Sequence, residues 1–452
     1  MIIPYNTPIK SPPCVTIFAV RYIVDITQLV HWSGNLTGIP RVMDELAIRF
    51  AEDSNRETVF VSWVRELGQM CEVDFAKTRP HRGDGIDYIS KHKPSASSST
   101  QNVAAQASTT SPTRIAKKVV KKIAIKSRLD RTSLYKKALS TKRLAELHSY
   151  KSYTPVQGDA LFIPWGEWWD QNWLDLVKYY SSKGVRIYPI CHDILPMVVP
   201  QFSGNSSSLA EFVKQVFPLS HAVLAVSQST KTDLTRWMKA HELPVPRIDV
   251  FRLGENFTFP RVEKNNSIAK KYNVEKEGYI VYVSTIEPRK NHNLLYYVYK
   301  LAESRNINLP KLLIIGRVGH DVDKLIKKIK ADPEVNQKIS IHNDVDDADL
   351  NWLYQNCQFA VAPSFYEGWG MPVLESIARG KSVVCSNTSS LLEMPEDCVI
   401  FFNPASTDEC LAAIQEMSNP SVLKKYREAA TSYKVHSWDD SYQQVLQILE
   451  EN

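Results

Sequence analysis

The sequence lacks the features of a disulfide-rich, metal-binding or membrane-spanning protein. It has seven cysteines, widely scattered and mostly inside apolar segments, with no C-x-x-C pair and no metal-ligand spacing. They are Cys14, Cys71, Cys191, Cys357, Cys385, Cys398 and Cys410. This pattern predicts reduced core residues of a cytoplasmic protein. Long hydrophobic runs are also missing, because the apolar stretch 15–30 is interrupted by Arg21 and Asp25. We therefore expect neither a signal peptide nor a transmembrane span.

Acidic residues are nearly absent from one segment that carries all of the basic excess. The formal net charge is +6, from 55 Lys and Arg against 49 Asp and Glu. Residues 114–143 hold twelve basic residues and the single acid Asp130, a net charge of +11. The remainder has 43 bases against 48 acids, a net charge of −5.

The basic segment has the period of an amphipathic helix. In "RIAKKVVKKIAIKSRL", residues 114–129, apolar pairs alternate with lysine pairs at a spacing near 3.6. Such a helix could lie on an anionic membrane surface, at the inner face of the membrane, or it could be an ordinary solvated or packed helix. Nucleic-acid binding is disfavoured, because no aromatic residue is interleaved before Tyr135. The preceding Ser/Thr-rich tract 95–111 is predicted to be disordered, so 90–145 is an expected insertion.

The rest of the chain alternates short apolar strands with amphipathic helices, which is typical of an α/β protein. At 452 residues and 43% hydrophobic, it is long enough for two domains. Each half has five candidate strands and can form its own parallel sheet. The strands are 22–26, 58–61, 160–163, 186–190 and 222–226, then 279–284, 311–315, 339–341, 359–362 and 382–385. The polar segment 256–266 divides the two halves.

Ligands of open α/β sheets collect at the carboxyl ends of the strands, and three strand ends here are unusual. Arg289 and Lys290 follow one strand and precede a helix, where two cations suit a diphosphate site. Taken alone, the pair is better explained as a solvent-facing basic turn, so the diphosphate interpretation depends on support from other features. His192 and Asp193 follow another strand. A lone histidine in that position is more often structural, and Asp193 is a candidate partner for it.

The third strand end carries the segment "SFYEGWGMPVLES", which places two glutamates among glycine and apolar residues. Gly368 and Gly370 allow backbone to approach a ligand closely, and Pro372 suits the first turn of a helix. The helix dipole accounts for Glu375, but it does not account for Glu367 in the preceding loop. The two carboxylates can accept hydroxyl hydrogen bonds from a sugar and from a ribose.

These segments resemble the retaining glycosyltransferases of family four. "PSFYEGWGMPVLESIARGKSVV" is similar to the E-x7-E signature of that family, and "STIEPRKNHNLL" is similar to its phosphate-binding turn. Most of the chain outside 90–145 resembles bacterial mannosyl- and rhamnosyltransferases of surface polysaccharide synthesis. The resemblance implies a GT-B fold, with two Rossmann-like domains facing across a cleft. It implies an acceptor-side domain at 15–258, a donor domain at 259–435 and a terminal helix at 436–452 that crosses back to the first domain.

The resemblance also implies a role for each candidate residue. The catalytic residues would be Arg289, Lys290, Glu367 and His192. Arg289 and Lys290 would neutralise the donor diphosphate, and His192 would lie near the transferred sugar. The donor sugar would be held by Glu367 and the three residues after it, Gly368, Trp369 and Gly370.

Two further parts of the donor site follow from the same resemblance. Glu375 would bind the ribose. The loop "SGNLTGIPR" would approach the phosphates through Gly38 or Gly34, which are separated here where relatives commonly carry adjacent glycines. The donor would be a nucleotide-diphosphate sugar, with GDP-mannose as first choice and rhamnose as a possible sugar. The acceptor would be a saccharide, expected to be lipid-linked.

No metal or other cofactor is expected. The acidic run 344–349 is better explained as a helix N-cap region than as a metal site. Two other function classes are also compatible with the sequence. One is an epimerase or phosphorylase on the same fold, and the other is a non-catalytic, membrane-associated assembly scaffold.

Overall fold

The computed structural model describes residues 20–32, 36, 38–65, 67–78, 151–202, 206–256, 266–343 and 345–451. The predicted insertion 90–145, with its basic helix 114–129, lies outside the described residues, as do Gly34 and Cys14. None of the described helices is both long enough and apolar enough to cross a membrane. The six cysteines that are described are all buried and unpaired, in agreement with the sequence.

The first half of the chain folds around a seven-stranded sheet. Its order is β3-β2-β1-β4-β5-β6-β7, and all pairs are parallel except the edge pair β2–β3. The strands are β1 Arg21–Asp25, β2 Glu57–Val64, β3 Gln69–Glu72, β4 Ala160–Ile163, β5 Arg186–Cys191, β6 Ala222–Ala225 and β7 Arg247–Val250. Both faces of this sheet are covered by apolar clusters, which is why its central strands are hydrophobic throughout.

The second half folds around a six-stranded parallel sheet of order β10-β9-β8-β11-β12-β13. The strands are β8 Tyr279–Val283, β9 Lys311–Ile315, β10 Ile339–His342, β11 Ala360–Ala362, β12 Val383–Ser386 and β13 Val399–Phe402. One large apolar cluster surrounds this sheet. The predicted α/β class with two Rossmann-like domains is therefore confirmed.

Helices connect the strands of both sheets. Those of the first half are α1 Thr27–His31, α2 Ile39–Glu52, α3 Phe75–Thr78, α4 Gln171–Ser182, α5 Leu195–Val198, α6 Ser206–Val216 and α7 Gln228–Ala240. Those of the second half are α8 Asn266–Lys271, α9 His292–Ser304, α10 Asp323–Ala331, α11 Pro333–Lys338, α12 Asp347–Asn356, α13 Met371–Ile377, α14 Thr407–Ser418, α15 Pro420–Ser432 and α16 Trp438–Glu450. The carboxylate of Asp346 caps α12 by accepting from the amide of Asp349 at 2.8 Å, as the acidic run predicts.

The last helix, α16, packs on the first domain although it follows the second along the chain. Trp438 is fully buried in the apolar cluster of the first sheet, and the ring of Tyr442 packs edge-on against Phe50 at 5.0 Å between centroids. Gly254 is required beneath it, because a β-carbon there would lie 2.4 Å from the Trp438 ring. This helix therefore joins the two domains.

The carboxyl ends of the two sheets face each other. Gly368 follows β11 of the second sheet, and a β-carbon on it would lie 2.4 Å from the carbonyl oxygen of His192, which follows β5 of the first sheet. The residues after β5, β8 and β11 are thereby brought to one place between the domains, where an α/β sheet presents its ligand sites.

Candidate active site

Arg289 and Lys290 lie on a rigid turn between β8 and α9. Pro288–Lys290 forms a single 3₁₀ turn, and Asn291 ends it with a left-handed backbone, φ 57°. The side-chain amide nitrogen of Asn291, Nδ2, donates to the carbonyl oxygens of Pro363 at 3.1 Å and Pro404 at 2.9 Å. These bonds tie the turn to the segments that follow β11 and β13, so the backbone that carries the two cations is held in place.

Glu367 brings the two cations together. Arg289 Nη1 donates to Glu367 Oε2 at 3.0 Å, and Lys290 Nζ donates to Glu367 Oε1 at 2.5 Å. Arg289 also pairs with Glu287 at 2.7 Å. Burial alone would raise the pKa of the Glu367 carboxyl, but Lys290 and Arg289 outweigh it and lower that pKa to about 2. We refer to Arg289, Lys290 and Glu367 as the ion cluster.

The ion cluster is largely removed from water. Lys290 is only 9% exposed, and burial lowers its pKa while the Glu367 charge opposes that change. Burying charges is unfavourable unless each is paired, and here each cation has a carboxylate partner. An incoming dianion could take over the two cations from Glu367 without leaving a positive charge unpaired.

The backbone after Glu367 is fixed by close packing. The Glu367 amide donates to Ser389 Oγ at 2.8 Å, and Ser390 Oγ donates to the Glu367 carbonyl at 2.9 Å. Gly368 approaches the His192 carbonyl too closely for any side chain, and Gly370 has φ 98° at the start of α13. Glycine is thus required at both positions that the sequence singled out.

Trp369 lies between the domains. Its side chain packs against the apolar clusters of both sheets, and the Arg252 guanidinium lies 5.9 Å from its ring centroid. Its indole N–H is buried and has no acceptor in the described part of the chain.

The backbone carbonyl of His192 lies against Gly368 from the first domain, and the hydrogen-bond partner of the His192 ring differs from the one that the sequence suggested. Its Nε2 is hydrogen-bonded to the carbonyl oxygen of Pro164 at 2.7 Å rather than to Asp193. Burial lowers the pKa of His192 to about 4, so the ring is neutral at pH 7. Asp193 instead accepts from the Leu195 amide at 3.0 Å and lies close enough to Arg289 and Lys290 for their charges to lower its pKa, although burial raises it overall.

Glu375 is buried on α13 and pairs with a residue of the other domain. Arg41 Nη1, near the start of α2, donates to Glu375 Oε1 at 3.3 Å. Burial raises the pKa of Glu375, and Arg41 and Arg379 partly offset that effect. Gly38 is the residue before α2, with φ 60°, and apart from its chain neighbours no described residue comes within 4 Å of where its β-carbon would lie. The structure therefore places Gly38 and Glu375 near the same end of the cleft, joined through Arg41.

Several contacts at the cleft have no counterpart in the sequence analysis. Tyr366 donates its hydroxyl to Asp233 of the first domain at 2.8 Å. Glu393 accepts from the amides of Gln228 and Ser229, at the start of α7, at 3.0 and 2.8 Å. No local pattern could have identified these pairs, because their members lie more than 130 residues apart.

Three tryptophans beside His192 were also missed. The segment "WGEWW", residues 165–169, follows β4, and its first ring lies 5.5 Å from the His192 ring between centroids. The signal was available, since three tryptophans in five residues directly follow a buried strand.

Comparison with known proteins identifies the second domain. Residues 263–434 match the family model described as "Glycosyl transferases group 1". Residues 263–434 are a group 1 glycosyltransferase domain. The ion cluster and Glu375 lie within that range. The glycosyltransferase class and the family resemblance inferred from the sequence are thereby confirmed.

Relatives over a larger part of the chain carry glycosyltransferase names. The O-antigen chain mannosyltransferase B of Escherichia coli is 28% identical over 278 residues, which are 59% of this chain and 71% of that protein. The serotype-specific mannosyltransferase WbdA of Escherichia coli is 26% identical over 247 residues, 53% of this chain but only 30% of WbdA.

A solved structure extends the likeness to nearly the whole chain. Anabaena Alr3699/HepE, solved in complex with UDP, superposes with a TM-score of 0.56 at 14% identity, over 95% of this chain and 99% of that one. At this identity the likeness shows the fold alone, and that fold is the GT-B arrangement that the sequence predicted.

Proposed function

We propose that the glycosyltransferase transfers a hexose, with retention of anomeric configuration, from a nucleotide-diphosphate sugar to a saccharide acceptor in cell-surface polysaccharide synthesis. The first choice of donor is GDP-mannose, and the acceptor is expected to be lipid-linked. The observation that carries the proposal is the ion cluster, two fixed cations at the end of β8 beside a glycine-rich helix start and opposite His192. The names of the relatives support mannose and O-antigen chains.

The charge that develops on the leaving group is what the site must stabilise most. Glycosyl transfer passes through an oxocarbenium-like transition state, in which negative charge grows on the departing diphosphate. Arg289 and Lys290 are positioned to meet that charge, and a preorganised donor of this kind is worth about a hundredfold or more in rate. When a diphosphate takes over these cations, Glu367 is released to accept hydroxyl hydrogen bonds from the donor sugar.

Other groups complete the proposed site. His192 is neutral at pH 7, so it can hydrogen-bond the transferred sugar without repelling the developing oxocarbenium. Glu375 is placed to bind the ribose hydroxyls once Arg41 moves toward the phosphates, beside Gly38. No step in this scheme is assigned to a metal ion or another cofactor.

A donor panel tests the proposal. The full chain is titrated calorimetrically with GDP, UDP and dTDP, and then incubated with the corresponding sugars and mannoside acceptors. We expect preferential GDP binding and an α-linked mannoside product, with the anomeric configuration read by NMR. Isomerised donor without acceptor glycosylation would instead indicate an epimerase, and binding of no nucleotide would favour the scaffold alternative.

The membrane part of the proposal rests on the sequence alone. The predicted amphipathic helix 114–129 would hold the enzyme on an anionic surface, with about 1 kcal/mol of attraction for each basic residue near that surface. Deleting residues 95–129 should release the protein from vesicles containing phosphatidylglycerol while leaving transfer to a soluble acceptor intact. Replacing Val119, Val120 and Ile123 with serine should have the same effect without changing charge. Persistent vesicle binding in both variants would refute this role.

A further inference from the structure

A row of three tryptophans leads away from His192 along the first domain. The centroid of the Trp165 ring lies 5.5 Å from that of His192 and 5.8 Å from that of Trp168, and Trp168 lies 5.0 Å from Trp169. Trp169 is 44% exposed. This continuous set of rings, which we call the tryptophan row, begins beside the proposed reaction centre and ends in solvent.

Folding alone does not account for two features of the row. Tryptophan contributes most to stability when its large apolar surface is buried, and Trp169 leaves nearly half of its surface in water. The indole N–H of Trp168 is buried, yet within the described residues it donates to no acceptor. A buried donor without a partner is unfavourable. A ligand with apolar faces would cover the exposed surface of Trp169.

A buried carboxyl lies within the row. Glu167 stands between Trp165 and Trp168 in sequence, and its Oε1 accepts from the side-chain amide of Gln28 on α1. Burial, and next the nearby Asp25, raise the pKa of Glu167 to about 7. At neutral pH this carboxyl is therefore partly protonated, and it can accept from or donate to a sugar hydroxyl.

The described charges nearest Glu167 do not favour a phosphate-rich ligand. The ionisable groups that act on Glu167 are Asp25 and Asp170, which are acidic, and Arg65. Arg65 is already paired with Asp170 at 2.8 Å, and the indole N–H of Trp63 donates to the same oxygen. No unpaired cation is left among these groups to meet a nucleic-acid or lipid phosphate. Aromatic rings with hydrogen-bonding carboxyls suit a neutral polyhydroxyl ligand instead.

We propose that the tryptophan row is the acceptor subsite, and that a saccharide chain of at least two sugars lies along it with its reacting end beside His192. Trp165 contacts the sugar that receives the transferred hexose, and Trp169 contacts a sugar further along the acceptor chain. This inference rests on the proposed function, because it takes the reaction centre to lie between His192 and the ion cluster.

The test separates acceptor binding from donor binding. The full chain is titrated calorimetrically with α-linked mannose mono-, di-, tri- and tetrasaccharides, and separately with GDP and UDP. We compare the wild type with Trp169→Ala, Trp169→Phe and the control Tyr179→Ala. Tyr179 is 50% exposed, on α4 of the same domain and outside the row.

We expect wild-type affinity to rise with saccharide length. Trp169→Ala should weaken binding of the longer saccharides by about tenfold, a size typical of a truncated tryptophan contact, while binding of the monosaccharide changes little. Trp169→Phe should retain most of the affinity. Tyr179→Ala should match the wild type, and nucleotide affinity should be unchanged in all three variants.

Three results would overturn the inference: equal length dependence in Trp169→Ala and the wild type, an equal loss in Tyr179→Ala, or no saccharide binding by a wild type that binds nucleotide. A failure of nucleotide binding would instead count against the proposed function. If no nucleotide binds but Trp169→Ala still abolishes the length dependence, the donor role fails while the saccharide subsite stands.

Discussion

Lys290 is the residue whose removal best separates a catalytic role from a structural one. We expect Lys290→Met to lower kcat by roughly a hundredfold or more, because one preorganised cation no longer meets the leaving diphosphate. Arg289 still pairs with Glu367, so the chain should remain folded. Turnover is measured at saturating donor.

The matched control is Lys381→Met. Lys381 is similarly buried, at 6% exposed, but its ammonium donates to the Cys357 carbonyl at 2.8 Å just before the amino end of β12, whereas the ion cluster follows the carboxyl ends of β8 and β11. Its removal should cost stability and leave kcat nearly unchanged. Comparable kcat losses in both variants would assign the effect at Lys290 to folding.

Glu375 should act on donor affinity rather than on turnover. A ribose contact is equally strong in the ground and transition states, so Glu375→Gln should raise KM for the donor and leave kcat largely unaffected. Steady-state kinetics with donor varied would measure both constants. A fall in kcat at unchanged KM would be incompatible with ribose binding.

Glu367 and Glu167 should respond to pH with opposite sign. The folded pKa of Glu367 is about 2, below the value near 4.3 expected in an unfolded chain. Its ionised form therefore stabilises the fold by roughly 3 kcal/mol at neutral pH, and this contribution is lost as pH falls from about 5 to about 2. Glu367→Gln should destabilise the protein at pH 7, and the difference should shrink on acidification.

Glu167 provides the contrasting variant. Its folded pKa of about 7 lies above the unfolded value, so its contribution is present at low pH and is lost as pH rises toward 7. Glu167→Gln should therefore raise the thermal midpoint at pH 8 and change it little at pH 4. Both variants are followed by thermal unfolding across pH, and slopes of the same sign would contradict the two assigned environments.

The element that best illustrates contact between the domains is the start of α7. The Glu393 carboxylate accepts from the first two helical amides of α7, where helix N-termini favour negative charge. We expect Glu393→Gln to increase hydrogen exchange at the Gln228 and Ser229 amides severalfold, because a charge-assisted bond is replaced by a weaker neutral one. Glu396→Gln, an exposed acid on the next turn, serves as control. Unchanged exchange in Glu393→Gln would mean that the contact does not persist in solution.

At the level of secondary-structure elements, the pattern of apolar residues predicted most strands of the two sheets. All ten predicted strands are present, with ends that differ by at most three residues. Three strands were missed: Gln69–Glu72, Arg247–Val250 and Val399–Phe402. The first two are short edge strands that contain charged or polar residues. They therefore lack the continuous run of apolar residues that is typical of a strand buried on both faces. The third is apolar but only four residues long and follows a single 3₁₀ turn, so no periodicity distinguishes it.

The site was predictable only where it is local in sequence. Arg289, Lys290, Glu367 and the two glycines stand directly after apolar strands, and strand order brings them together. The His192 partner was predicted wrongly, because proximity in sequence favoured Asp193, whereas the fold places the Pro164 carbonyl next to the ring. The Arg41–Glu375 pair spans 334 residues, and it depends on how two domains meet.

For the whole molecule, α16 is the segment that makes the two domains depend on each other. It follows the second domain in the chain, yet Trp438 is fully buried against the first, and Arg56 pairs with Glu450 at 2.7 Å. Trp438→Ala should destabilise the first domain by about 3–5 kcal/mol, the usual cost of removing a buried tryptophan. The six-stranded second domain has its own apolar cluster, which does not include Trp438.

Calorimetric unfolding therefore distinguishes coupled from independent domains. In the wild type we expect one transition, or two close ones, because α16 and the cleft contacts link the sheets. In Trp438→Ala the transition of the first domain should move to lower temperature by several degrees, while that of the second domain stays in place. Gln447→Ala, on the exposed face of the same helix, should leave both transitions unchanged. If Trp438→Ala lowers both transitions equally, the second domain depends on α16 as much as the first does, and the two sheets form one cooperative unit.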